Sequence, residues 1–159
     1  MRRALHGMIA MTCLGAAVCT GLPAGAKGAR TDALSAQERA NTKLVLDMWH
    51  GVIEQADVNA VLRYISPAYV QHNVNIDPGR EGLVEGVKRL RNPPPGTPPH
   101  PKKQLLTAVA HGDLVVLVWN QEFPDPKAPG KAYVGQSFDM FKVRGGQIVE
   151  HWDDTRKTP

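Results

Sequence analysis

The residue types that could carry out acid/base chemistry lie in two short segments of this chain. Residues 148–153 read IVEHWD, and side-chain alternation in a strand places Val149, His151 and Asp153 on one face. The same alternation assigns the other face to Ile148, Glu150, Trp152 and Asp154. A desolvated carboxylate and an imidazole can remove a proton next to a carbonyl group and protonate the alkoxide that forms. His151 and Asp153 are therefore candidate site residues.

The second segment, residues 69–73, reads YVQHN and supplies His72. We predict that Asp153 and His72 form the catalytic acid/base pair. The structural alternatives are a solvated pair of Asp153 and His151 at a sheet edge, and a His72 that bonds only to backbone. His72, His151 and Asp153 also match the ligand count of a facial metal triad. Because no pattern fixes the distance from His72 to the last strand, we predict no metal site.

Asp139 and several aromatic residues are candidates for contacts with a ligand. Asp139 interrupts the apolar segment 138–141, where a buried charge without a partner would be costly, so it must face water, a partner or a ligand. The predicted substrate-binding residues are His151, Trp49, Tyr69, Trp119, Phe123, Asp139 and Phe141. The competing interpretation is that Asp139 lies on an exposed sheet face and that the aromatic residues belong to an ordinary core.

Three helices are predicted ahead of the strands. Ser35 and Glu38 have the spacing of a capping box, and apolar residues at intervals of three and four continue the first helix over about residues 36–55. Asp57 can cap a short second helix, which Pro67 ends because proline disfavours helical geometry in the residue before it. Residues 68–73 are expected to be extended, and residues 81–90 to form a third helix.

After the proline-rich loop 92–101, the apolar period changes to two. Strands are predicted at 104–110, 114–122, 133–143 and 147–155, with glycine turns at Gly112 and at Gly145 and Gly146. Helices followed by an antiparallel meander favour the α+β class. We expect N-terminal helices packed on a strongly curved antiparallel sheet, with an internal pocket between them.

The N terminus has the order of residues that a secretory signal requires. Two arginines precede the apolar stretch 8–22, which is followed by the small residues of Ala24-Gly25-Ala26. The stretch is short for a membrane span, and a lipid anchor at Cys19 lacks the usual preceding residues. We therefore predict a signal peptide at 1–26, a disordered lead at 27–34, one domain at 35–156, and a periplasmic or secreted protein.

Cleavage after Ala26 would limit the chemistry that remains. It would remove both cysteines, Cys13 and Cys19, and with Arg2 and Arg3 it would lower the net charge from +4 to +2. Roughly 130 residues remain, which suits a single domain. The sequence has no phosphate-binding loop, no nucleophile elbow and no basic stripe with aromatics, so we expect neither nucleic acid nor, after cleavage, a membrane as partner.

The motifs YVQHN, after two helices, and IVEHWD, on the last strand, together resemble the SnoaL-like polyketide cyclase family of the nuclear transport factor 2-like superfamily, over about residues 36–156. The resemblance implies a conical fold with a pocket, a frequent homodimer through the sheet, and acid/base catalysis of an intramolecular aldol condensation without cofactors. It matches Asp153 to the acid/base aspartate and His72 to the pocket histidine.

The expected function is that of an exported lyase or isomerase acting on a small hydrophobic carbonyl compound. Polyketide cyclases work on cytoplasmic intermediates, which an exported protein would not meet. A non-catalytic periplasmic module that binds a small molecule in the same pocket is therefore the alternative, and a domain that uses its sheet face only to dimerise is a third hypothesis.

Overall fold

The computed structural model describes residues 34–97 and 103–157. The predicted signal peptide and nearly all of the predicted lead lie outside the described residues. Within the described ranges, none of the helices has the length and hydropathy needed to cross a membrane.

The first helix begins where the capping box predicts and changes its winding before it ends. Helix α1 spans Ala36–Met48; the Ser35 side chain accepts a hydrogen bond from the Glu38 backbone N–H, and the Glu38 carboxylate accepts one from the Ser35 N–H. A π-helical segment, Trp49–Glu54, continues it. The predicted helix is therefore confirmed in extent. The wider turn brings Gly51 so close to Ala60 that an added Cβ would lie 2.9 Å from the Ala60 Cβ.

Two further helices and one strand precede the meander. Asp57 caps α2, Val58–Tyr64, by accepting a hydrogen bond from the Asn59 N–H at 2.9 Å. Strand β1, Ile65–Gln71, follows at once; it begins three residues before the predicted extended segment 68–73 and ends two residues before the end of that segment. It contains Pro67, which a sheet tolerates on an edge strand because the missing N–H faces away from the ladder. Helix α3 spans Gly79–Arg91.

The predicted meander forms four of the five strands of an open sheet. These strands are β2, Lys103–His111; β3, Leu114–Pro124; β4, Ala132–Arg144; and β5, Gln147–Asp153. The order across the sheet is β1-β5-β4-β3-β2. The meander strands pair antiparallel, whereas β1 pairs parallel with β5, so the sheet is mixed rather than wholly antiparallel. No hairpin joins β1 to β5, and their relative direction is therefore free of a turn constraint.

A β-bulge in β5 changes the predicted assignment of faces. Val143 pairs with Ile148 and Lys142 pairs with Glu150, which leaves Val149 as the extra residue. Ile148 and His151 are consequently both buried against the helices, at 0% and 7% exposure, although simple alternation predicted opposite faces for them. The prediction that His151 and Asp153 share a face is unaffected, because both follow the bulge.

The core lies between the inner face of the sheet and the three helices. Its fully buried side chains come from every helix and from three of the strands: Val45, Val52, Val61, Ile65, Val87, Val115, Leu117 and Ile148. The chain is α+β as predicted. The helices cover one face of the sheet, and the space left beyond this core forms the site.

Candidate active site

A cavity of about 1140 Å³ opens between the sheet and the helices. Much of its wall is apolar and includes Trp49, Ile53, Tyr69, Leu83, Phe123 and Phe141. The polar side chains that line it include Gln71, Asn73, Lys103, Asp139, His151 and Asp153. The ends of β1 and β5, the start of β2 and the middle of β4 supply this polar group.

Asp139 is the centre of the polar group. It is 4% exposed, and its Oδ2 accepts hydrogen bonds from Trp119 Nε1 at 2.7 Å and from Lys103 Nζ at 3.0 Å. Its Oδ1 lies 3.2 Å from His151 Nε2. Burial raises the pKa of this carboxyl, but the hydrogen bond with His151 and the charge of Lys103 outweigh it, and the net shift is downward. Asp139 is therefore ionised at neutral pH.

His151 is held at both ring nitrogens. Nε2 faces Asp139, and Nδ1 lies 2.9 Å from Gln71 Oε1. The Asn73 backbone N–H also donates to that Oε1, at 2.9 Å, which fixes the orientation of the Gln71 amide with its oxygen toward the imidazole. Both ring nitrogens are therefore engaged, which fixes the orientation of the imidazole. Phe141 stacks on it with ring centroids 4.7 Å apart.

Asp153 lies beside this pair and has a more open position. It is partly buried, with Oδ2 accepting from Asn73 Nδ2 at 2.5 Å and Oδ1 accepting from the Thr155 N–H at 3.1 Å. Carboxylate oxygens of Asp139 and Asp153 and a ring nitrogen of His151 all lie within 4.8 Å of one another. Asp153 thus offers the cavity an oriented carboxylate next to an ion pair.

Tyr69 completes the polar group from β1. Its hydroxyl oxygen accepts a hydrogen bond from Gln71 Nε2 at 3.1 Å. Burial raises the pKa of Tyr69, and the negative charges of Asp153 and Asp139 raise it further. The hydroxyl therefore keeps its proton and can donate it to a ligand oxygen.

Most of the predicted site residues do line the cavity, but two do not. Asp153, His151, Trp49, Tyr69, Phe123, Asp139 and Phe141 contribute to its wall. The prediction that Asp139 must find water, a partner or a ligand is confirmed by its three hydrogen-bond donors. Trp119 does not belong to the lining; it stacks on Trp49 at 4.3 Å and donates to Asp139 from behind.

The structure does not bring His72 to Asp153, contrary to the predicted pairing of these two residues. His72 Nε2 bonds to Glu150 Oε1 at 3.0 Å, and its ring stacks on Trp152 with centroids 5.1 Å apart. Its side chain is 43% exposed and is not part of the cavity wall. The reason is alternation along the end of β1, which directs Tyr69, Gln71 and Asn73 inward and His72 outward. His151 occupies the place beside Asp153 that His72 was expected to take.

Three residues of the site escaped the sequence analysis: Gln71, Asn73 and Lys103. The alternation that places Tyr69 inward also places Gln71 and Asn73 inward, so the signal was present in the segment YVQHN. The prediction instead selected His72, because histidine is the more reactive residue type. Lys103 follows a proline-rich loop, and no spacing in the sequence connects it to Asp139.

The polar group does not suit a metal ion. Asp139, His151 and Asp153 have the right ligand types within 4.8 Å, but Asp139 already accepts from three donors. The Lys103 ammonium lies 3.0 Å from Asp139 and supplies the positive charge that a cation would bring. His72, the third ligand of the triad weighed above, lies on the opposite face of the sheet.

The fold and its cavity define a class of protein in which helices pack on one face of an open mixed sheet and polar side chains of the sheet line a cavity beneath them. The family model of the SnoaL-like domain matches residues 45–151, and the chain belongs to this family, within the nuclear transport factor 2-like superfamily. Among curated proteins, no sequence relative matches this chain.

Solved structures share the fold at low sequence identity. TsrD from Streptomyces laurentii is 20% identical with a TM-score of 0.53, over 73% of this chain and 88% of TsrD. A candidate SnoaL-like polyketide cyclase from Jannaschia sp. CCS1 is 18% identical with a TM-score of 0.53, over 77% of this chain and 91% of the other. Bal32a, from a soil-derived mobile gene cassette, is 15% identical with a TM-score of 0.54, over 74% of this chain and 89% of Bal32a. At these identities the likeness concerns the fold alone.

Proposed function

We propose that this protein is a cofactor-independent acid/base enzyme of cyclase or isomerase type that acts on a small hydrophobic carbonyl compound. The observation that carries the proposal is the carboxylate of Asp153, oriented beside the buried Asp139–His151 pair in a largely apolar cavity. Buried charges are costly for the fold, and a ligand site is a reason to retain them. Membership of the SnoaL-like family supports the same reaction class.

Asp153 is the proposed base. Its carboxylate would take a proton from the carbon next to a carbonyl group and later return it to carbon or to a new alkoxide. The hydrogen bonds from Asn73 and from the Thr155 N–H hold the carboxylate in one orientation. His151 would hold the neighbouring Asp139 carboxylate in place through its Nε2, and so keep the polar wall of the cavity fixed around the substrate. The aromatic wall would exclude water and accept the apolar part of the ligand.

Alpha-proton exchange tests this function without knowledge of the natural substrate. Simple aryl ketones would be incubated in D₂O with the protein, and the loss of their α-proton signals would be followed by proton NMR. We expect exchange with the wild type and its loss in Asp153→Asn. Glu150→Gln, a carboxylate of the same strand that faces away from the cavity, is the matched control and should retain exchange.

The outcomes separate the enzyme from the binding module. Ligand binding by the wild type without any accelerated exchange would favour the non-catalytic module. Exchange that survives in Asp153→Asn would remove Asp153 from the role of base. Loss of exchange in a stably folded His72→Ala would restore the sequence-based role of His72, which its position outside the cavity does not support.

Export is a further part of the proposal and depends on the segment 1–26. The arginines, the apolar stretch and the small residues at 24–26 support cleavage after Ala26. Expression of the full chain in a Gram-negative host, followed by cell fractionation and N-terminal sequencing, tests it. A mature protein that starts at Lys27 in the periplasm is the expected result, and an uncut chain in the cytoplasm would contradict it.

We also propose a homodimer through the outer face of the sheet. This outer face carries Val109, Val116, Phe138, Met140 and Trp152, in register across β2, β3, β4 and β5. Val109 is 55% exposed and Phe138 is 46% exposed. An exposed apolar face of this kind is commonly covered by a partner.

A further inference from the structure

We infer that Lys103 binds the carbonyl oxygen of the substrate, and that the cavity accordingly selects enolisable carbonyl compounds whose flat apolar part lies beside Trp49. The inference rests on the proposed acid/base function and adds to it the group that recognises the substrate. It also assigns a role to a residue that neither of the two sequence motifs contains.

The ammonium of Lys103 has a fixed position at the cavity wall. Lys103 is the first residue of β2, and its side chain is 24% exposed. Its Nζ lies 5.1 Å from the ring centroid of Trp49 and 5.9 Å from that of Trp119. The two indoles stack on each other, and the attraction between a cation and aromatic faces holds the ammonium beside them. An aromatic ligand beside Trp49 would therefore lie next to this charge.

Lys103 also has hydrogen-bonding capacity to spare. An ammonium group has three N–H donors. Within residues 34–97 and 103–157, its one hydrogen-bond acceptor is Asp139 Oδ2, at 3.0 Å. The other donors are available to an oxygen of a ligand in the cavity. The ammonium forms a stronger hydrogen bond with the anionic oxygen of an enolate than with the neutral oxygen of a ketone. This site would therefore favour the enolate over the ketone.

Asp139 connects this donor to the base. One of its oxygens contacts Lys103, and its carboxylate lies within 4.8 Å of that of Asp153. When Asp153 removes the α-proton, the electrons of the C–H bond form a new C=C bond, and the carbonyl π electrons move to oxygen. The proton stays on Asp153, and Lys103 holds the enolate oxygen. Return of this proton to carbon completes an isomerisation. In the cyclase branch the enolate carbon attacks a second carbonyl of the same molecule, whose π electrons move to its oxygen, and the alkoxide formed takes the proton from Asp153.

Binding of para-nitrophenol tests the oxygen site separately from catalysis. This aromatic acid mimics an enolate when ionised, and its ionised form absorbs visible light, so titration with protein reports both affinity and charge state. We expect the wild type to bind the phenolate form preferentially and Lys103→Met to lose about tenfold or more in affinity for it. Lys103→Arg should retain much of the affinity. Lys142→Gln, which removes one positive charge from the outer face of β4, should bind like the wild type.

The same variants in the exchange assay distinguish the two levels of the proposal. If phenolate binding depends on Lys103 but the wild type shows no α-proton exchange, the proposed oxygen site is supported and the proposed enzyme function is rejected. If the wild type shows exchange and Lys103→Met binds the phenolate as tightly as the wild type does, the inference about Lys103 is overturned and the proposed enzyme function is retained. Loss of affinity in Tyr69→Phe but not in Lys103→Met would assign the oxygen to Tyr69 instead. Thermal melting verifies the fold of each variant, and a Lys103→Met that melts early is replaced by Lys103→Gln.

Discussion

Asp139 on β4 is directly paired with Asp153 on β5, yet its carboxylate bonds to His151, two residues before that partner. Two carboxylates in one cross-strand pair repel each other, and the backbone hydrogen bonds of the sheet do not neutralise their charges. The repulsion is offset by His151 and Lys103 around Asp139 and by Asn73 and the Thr155 N–H around Asp153. The result is one carboxylate fixed inside an ion-pair network and one left facing the cavity.

Asp139→Asn should destabilise the protein at neutral pH by roughly 3–5 kcal/mol, because it leaves the Lys103 ammonium without its buried counter-charge. Since the pKa of Asp139 is lowered on folding, its stabilising contribution is present above the ordinary value of 3.8 and is lost as the pH falls through the lowered pKa. The variant should accordingly lose less stability than the wild type on acidification.

Urea unfolding at a series of pH values measures this difference. Asp47→Asn is the control, because Asp47 pairs with Lys43 on the surface, with side chains 43% and 76% exposed. It should change the stability by less than about 1 kcal/mol. Equal effects of the two substitutions would contradict the central role of Asp139.

Gly82→Ala should destabilise helix α3 and the loop that leads to it. A Cβ at Gly82 would lie 1.9 Å from the Asp77 carbonyl oxygen, so the backbone must shift at a cost of roughly 1–3 kcal/mol. Gly86→Ala on the same helix is the control, since its Cβ would meet only Ile76 Cγ2, at 3.9 Å. That substitution should stabilise by roughly 0.5–1 kcal/mol. Thermal unfolding of both variants checks the opposite signs.

Ser35→Ala should cost about 1 kcal/mol, because it removes the N-cap of α1. Hydrogen bonds from the Ser35 and Gly112 backbone N–H groups lower the pKa of Glu38 from 4.5 to about 2. The contribution of ionised Glu38 is therefore present above pH 4.5 and is lost as the pH falls toward 2. The Ser35 side chain lowers this pKa as well, and Ser35→Ala removes that contribution while keeping both N–H groups. A proton NMR titration should therefore show a Glu38 pKa that is higher in Ser35→Ala than in the wild type but still below 4.5, and an unchanged value would contradict the contribution of the Ser35 hydroxyl.

Phe138→Glu should convert the proposed dimer to a monomer, because it places a charge at the centre of the apolar outer face. Sedimentation velocity would show the change in mass. Leu62→Glu, at a position 52% exposed on α2, is the control and should not alter the association state. A wild type that sediments as a monomer at every concentration would refute the homodimer.

The side chains that β5 and β1 contribute near Asp153 differ in how well the local sequence pattern predicted them. Alternation predicted that His151 and Asp153 share a face, and the structure agrees. Alternation after Tyr69 also separates Gln71 and Asn73 from His72, but the sequence alone could not tell which set faced the helices. That choice depends on how β1 docks beside β5, in a parallel pairing that no hairpin specifies.

The sequence by itself determined the helix caps, the change of period from helices to strands and the shared face of His151 and Asp153, because these depend on neighbours a few residues apart. The tertiary structure decided that β1 is parallel, that the bulge at Val149 buries Ile148 with His151, and that Lys103 meets Asp139 across 36 residues. These contacts depend on the packing of distant segments, which local spacing does not encode. The site therefore depends on both: the local sequence of β5 places Asp153 on the same face as His151, and tertiary packing determines which residues of other segments contact them.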